Sequence, residues 1–195
     1  MWRVVSKLKN DGIIDLDIAD YNEDDTVCVN NFVSRIKPNT SLIVCMSASN
    51  VFGVVFPIAK IGEQARKHNI RFIVDGAQTA GIMPLHSETD HFDILCAPGH
   101  KCLLGQMGTG FMAVREGVKL NPFMEGGTGS NSLDAQQPDF MPDRFESGTL
   151  NNSGIISLGA GIDFIHEKGM RNIYNHEMRA ARLLYDGLDQ DPKAI

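Results

Sequence analysis

Apolar and polar positions change their rhythm several times along the chain. Residues 2–10 have a helical pattern that ends at Gly12. In IIDLDIA, 13–19, apolar and acidic residues alternate, which predicts a half-buried strand. VNNFVSRI, 29–36, reads as a short helix stopped by Pro38, and SLIVCM, 41–46, as a strand buried on both faces. A helix is expected from about Pro57, with Ile58, Ile61 and Ala65 on one face. RFIVD at 71–75, FDILCA at 92–97 and TGFMAVR at 109–115 are further strands. Strand, helix and strand at this spacing predict crossover units, hence an α/β fold with a mostly parallel sheet and helices on both faces.

After residue 115 the rhythm stops. Residues 116–152 are rich in Gly, Ser, Pro and Asn and have no period, so a long loop region is expected. Helical spacing returns at Ser153. Ile155, Ile156, Leu158, Ile162 and Ile165 should line one helix, broken at Gly169, and a second helix carries Ile173, Ala180, Leu183, Leu184 and Leu188.

Composition narrows the class. Of 195 residues, 43% are hydrophobic and 22% charged, as in globular proteins that build a core. A net charge of −6 argues against general affinity for nucleic acid or anionic membranes. No apolar run approaches the roughly 18 residues that span a bilayer, and the N-terminus lacks the pattern of a secretory signal, so the expected location is cytoplasmic. The four cysteines are irregularly spaced, which speaks against a disulfide framework. Cys96, His100 and Cys102 form C-x3-H-x-C, but no second ligand pair follows at finger-like spacing, so zinc is not the reading adopted.

The candidate chemistry lies just beyond the strands, where open parallel sheets bind ligands. Ser47, Ser49 and Asn50 follow the 41–46 strand. Asp75 and Gln78 follow the next, and Pro98, Gly99, His100 and Lys101 the one after. Asp75 could cap a helix opening at GAQTA, since Asp is a favoured cap, or serve as counter-charge to a cationic ring nitrogen. Lys101, between an apolar strand and CLLG, could be a surface lysine or an amine of lowered pKa. A nucleotide-binding α/β domain fits poorly, because no Gly-rich phosphate loop is present. A lysine that forms a Schiff base, an acid for a pyridinium nitrogen and polar groups for a phenolic oxygen together describe what a protein supplies to pyridoxal phosphate (PLP).

Four strings carry a resemblance: SNVFGVVFPIAKIGEQARKHN at 49–69, VDGAQTAG at 74–81, FDILCAPGHKCLLGQMGTGFMAV at 92–114 and FESGTLNNSGIISLGAGIDFI at 145–165. In content, order and spacing the chain resembles the class V aminotransferase family of fold-type I PLP enzymes, which includes cysteine desulfurases and selenocysteine lyases. The resemblance implies the large-domain α/β/α sandwich, truncated at both ends. Residues 1–168 would be its central part, and 169–195 a helix leading into a small C-terminal domain. It implies that Lys101 forms the Schiff base, Asp75 pairs with the pyridine nitrogen and Gln78 bonds the phenolic oxygen. Asn50 would lie near that oxygen and the substrate carboxylate. His100 would contact the phosphate, and Thr149 would reach the phosphate of a neighbouring subunit in a homodimer. The implied substrate is a small amino acid. The implied reaction is most like that of a cysteine desulfurase. An aminotransferase or lyase of the same family, or a fragment that keeps the cofactor lysine without catalysing, would share these residues.

The sequence departs from the family at Pro98, where Ser or Thr usually supplies a phosphate ligand, and at Ser47, where His is common. No cysteine here matches the mobile nucleophile of desulfurases, and Cys102 reads as a packing residue. The chain alone is therefore expected to be a poor catalyst that self-associates through open sheet edges.

Overall fold

The computed structural model describes residues 2–20, 28–130 and 133–190. Residues 191–195, which the sequence assigns to the approach to a small domain, lie outside them. The element order is α1 (Trp2–Asn10), α2 (Val29–Val33), β1 (Leu42–Met46), α3 (Ile58–Lys67), β2 (Arg71–Asp75), β3 (Ile94–Pro98) and β4 (Gly110–Val114). A single 3-10 turn (Asp143–Phe145) precedes α4 (Asn152–Lys168) and α5 (Met170–Asp189).

The sheet runs β1-β2-β3-β4. β1, β2 and β3 are parallel; β4 returns antiparallel to β3, with Cys96 opposite Met112. The fold is therefore the expected α/β one with a mixed sheet. α3 begins after Pro57, whose fixed φ suits a helix entry. It buries Ile58, Ile61 and Ala65 against Ile43, Cys45, Phe72, Val74 and Leu95. α4 is capped by Asn151, whose Oδ1 accepts the Gly154 N–H at 3.1 Å. It packs Leu158 and Ile165 on Ala97 and Leu103, and ends at Gly169, whose φ of +80° breaks the helical path.

Three expectations need correction. Residues 13–19 form no strand. A strand needs a ladder partner, and no described strand lies beside this stretch. Asp17 within it pairs with Lys37 at 2.7 Å, and Asp20 just beyond it pairs with Arg35 at 2.6 Å.

β1 is buried on one face only. Ile43 and Cys45 are in the core, whereas Val44 and Met46 are half-buried. The reason is that both core clusters, and with them α3 and α4, lie on the same face of the sheet. On the opposite face Ile73, Asp75 and Cys96 are half-buried and Met112 is exposed.

On α4 the buried stripe is Gly154, Leu158, Gly161 and Ile165, while Ile155 and Ile156 are exposed. Helical geometry puts these two off the i, i+4, i+7 line that meets the sheet. α5 buries no residue completely, and Leu183, Leu184 and Leu188 are exposed. Among the described residues no helix is long and apolar enough to cross a membrane.

Candidate functional site

Parallel β1, β2 and β3 deliver three loops to their shared carboxyl edge. The first carries Asn50. Ser49 Oγ accepts the N–H groups of Val51 and Phe52, both at 3.2 Å, and an Ala48–Val55 bridge closes the turn, leaving Asn50 exposed.

The second loop starts at Asp75, the last residue of β2. Asp75 Oδ1 accepts the Ala77 N–H at 3.0 Å. The capping role considered from the sequence thus survives as one bond, but residues 76–82 form turns rather than an α-helix. Among the described residues the other carboxylate oxygen, Oδ2, accepts no hydrogen bond. Gln78 is half-buried, and its carbonyl accepts from Cys102 Sγ at 3.6 Å.

The third loop, after β3, presents His100 and Lys101, both exposed. It is closed at its base by Gly99 N–H to Thr109 O and Gly105 N–H to Gly99 O, both 2.8 Å. Two glycines hold it from outside. A Cβ at Gly81 would lie 2.5 Å from Cys102 O, and one at Gly161 would lie 2.2 Å from Leu103 O. The lysine-bearing loop is thus pressed between the Asp75–Gly81 turn and α4, with no room for a methyl group on either side.

An open cleft of about 690 Å³ lies beside this edge, lined by Asp75, Cys96, Pro98, Met112, Phe145 and Glu146, among others. Of the sequence-predicted site residues Asp75 alone lines it. Asn50, Gln78, His100 and Lys101 stand on the same carboxyl edge outside its lining. Thr149 is exposed three residues beyond Glu146, on the long loop. The sequence reading missed Phe145 and Glu146 as cleft residues, although both stand in the FESGT string it singled out.

The thiols nearby are not activated. Burial, with a further push from the Asp75 carboxylate, raises the Cys45 thiol to about 12. The same two causes raise Cys96. Cys102 is raised by burial and by Glu177, partly offset by Lys101. All three therefore remain neutral thiols near pH 7.

The aminotransferase class-V family pattern matches residues 3–194. A probable cysteine desulfurase of Methanothermobacter thermautotrophicus is 32% identical, over 93% of this chain and 48% of the relative. A probable cysteine desulfurase of Synechocystis sp. is 30% identical, over 91% of this chain and 43% of the relative. Among solved structures, the apo cysteine desulfurase from Thermococcus onnurineus NA1 superposes with a TM-score of 0.80 at 26% identity, covering 95% of this chain and 47% of that one. The chain spans about half the length of the curated relatives it matches.

Proposed function

Because the chain belongs to the class V aminotransferase family, we propose that it carries the cofactor-lysine region of a PLP-dependent enzyme acting on an amino acid, most like a cysteine desulfurase. The observation that carries the reading is Asp75: a half-buried carboxylate with one oxygen uncommitted among the described residues, on the wall of a cleft of ligand size, one strand away from the Lys101 loop.

The residues present fit the cofactor. A carboxylate with a free oxygen suits a protonated ring nitrogen, and Oδ2 of Asp75 would hold it. When bound, PLP supplies an electron sink for negative charge developing at the substrate Cα. Lys101 would hold the cofactor through its amine and afterwards move the Cα proton. The Gln78 amide would donate to the phenolic oxygen, with Asn50 near it and near the substrate carboxylate. His100 would contact the phosphate, and Thr149 would serve the phosphate of the second subunit of a homodimer. Burial pushes the Cys45, Cys96 and Cys102 thiols up, which disfavours the resting thiolate that a sulfur acceptor would use.

The test is cofactor capture. PLP added to residues 1–195, followed by borohydride reduction and peptide mapping, should label Lys101, and Lys101→Ala should abolish the label. Asp75→Asn should weaken PLP binding about 10- to 100-fold, the loss of one charge-assisted bond of about 1.5–3 kcal/mol. Labelling at another lysine with Lys101 clean would overturn the assignment. Alanine and sulfide release from cysteine, measured on the longest available form of the protein, separates desulfuration from transamination.

A further inference from the structure

Two hydroxyl groups not used above lie beneath the site. Ser47, directly after β1, and Thr79, in the turn after β2, are each 2% exposed, and their oxygens are 2.5 Å apart. Ser47 Oγ also lies 3.0 Å from the Asp75 carbonyl oxygen. That carbonyl can only accept, so the Ser47 hydroxyl donates to it, and the Thr79 hydroxyl donates to Ser47. The Ser47 N–H donates to the same carbonyl at 2.9 Å.

Chain segment 75–79 and Ser47 together close a ring. It begins at Asp75, ends at Thr79, and holds Gln78 just inside its last member. Gly76 N–H to Cys96 O at 2.8 Å ties the start of the segment to β3, and the remaining bonds within the loop are turn bonds: Thr79 N–H to Gly76 O at 3.0 Å, Ala80 N–H to Gly76 O at 2.9 Å and Ala77 N–H to Asp75 Oδ1 at 3.0 Å. These fix local curvature but do not tie the end of the loop to a neighbouring strand. The hydroxyl chain does so. A cavity of about 160 Å³, lined by Ser47, Thr79, Phe56 and Leu85, adjoins the pair, so the loop has room to relax if the bond is lost.

We propose that Ser47 and Thr79 are positioning residues, whose hydroxyl chain sets the separation of the Asp75 carboxylate and the Gln78 amide so that both meet one cofactor ring. The role towards the cofactor rests on the PLP reading above; the holding of the loop does not.

The experiment uses the 195-residue chain carrying Thr79→Val, Thr79→Ser or Ser47→Ala, with two readouts: amide hydrogen exchange and PLP affinity by absorbance titration. Thr79→Val keeps the side-chain shape and removes the donor. It should speed exchange at Ala77 and Ala80 about tenfold, equivalent to about 1.4 kcal/mol, and weaken PLP binding by a similar factor. Val74 and Leu95 in the β2–β3 ladder should keep their protection. Ser47→Ala should behave likewise, and Thr79→Ser should restore both readouts. Unchanged exchange at Ala77 and Ala80 overturns the proposal. So does an equal rise at Val74 and Leu95, which would mean general loss of fold. Faster loop exchange with unchanged PLP affinity overturns the positioning role. If the wild-type chain binds no PLP, the functional reading fails, while the exchange data still decide whether the hydroxyl chain holds the loop.

Discussion

Asp93, directly before β3, is the group whose removal should most weaken the sheet. Its side chain is 5% exposed. Oδ2 accepts the Phe72 N–H at 2.8 Å, while Oδ1 accepts from Arg71 at 3.2 Å and also from Arg115. Its backbone N–H donates to Phe72 O and its carbonyl accepts the Arg115 N–H, both at 2.8 Å. One residue thereby ties β2, β3 and β4 together at the end opposite the candidate site. Asp93→Ala leaves the buried Phe72 N–H without its partner, at a cost of about 1–3 kcal/mol. It also removes two ion pairs. Their arginines are about half exposed, 56% and 46%, so solvent screening holds each to about 0.2–1 kcal/mol. The expected loss is about 2–4 kcal/mol. Asp93→Asn keeps an acceptor for Phe72 and gives up only the charge, so its loss should be about 1 kcal/mol. Urea unfolding followed by circular dichroism measures both. At a slope of about 2 kcal/mol per molar, Asp93→Ala should lower the midpoint by about 1–2 M and Asp93→Asn by about 0.5 M. Equal small shifts for the two variants would refute the claim that the orphaned Phe72 N–H dominates.

Two glycines of α4 should respond in opposite directions to the same change. Gly159 has nothing within 4 Å of an added Cβ, so Gly159→Ala should stabilise the helix by about 0.5–1 kcal/mol. At Gly161 the added Cβ meets Leu103 O, a backbone atom that no rotamer can move, so Gly161→Ala should cost about 1–3 kcal/mol of overpacking, offset only in part by the helical gain, and should reduce PLP labelling of Lys101. Thermal unfolding and borohydride labelling read the two effects, and equal signs would contradict the packing described. The third test is alkaline. The folded Cys45 thiol is raised from 9.0 to about 12, so the unfolded chain ionises first. Its contribution to stability is full below pH 9 and falls as pH rises from 9 to 12, at up to about 1.4 kcal/mol per pH unit. Unfolding at pH 8 and pH 10.5 should show a smaller decline for Cys45→Ala than for wild type, and equal declines would refute the link to this thiol.

Local order was legible in the sequence wherever a segment's own side chains decide its conformation. The apolar runs of β1, β2 and β3 and the stripe of α3 carry their period in the residues themselves, and Pro57 and Gly169 mark helix limits by their backbone chemistry. The order of strands and loops also brought Asn50, Asp75, Gln78, His100 and Lys101 to one edge, because parallel strands put every following loop on the same side. What needs a partner was not legible. Residues 13–19 alternate like a strand yet pair with no strand among the described residues, since alternation describes a side-chain pattern and not a ladder. The same run cannot say which face of β1 is covered. That follows from α3 and α4 both packing on the side of Ile43 and Phe72. The Asp93 clasp and the Ser47–Thr79 bond join residues 22 and 32 positions apart. In a string of letters, Ser, Thr, Asp and Arg at those sites look like ordinary residues facing water. Only the folded chain buries Ser47, Thr79 and Asp93, and burial is what makes a hydrogen bond between distant residues necessary.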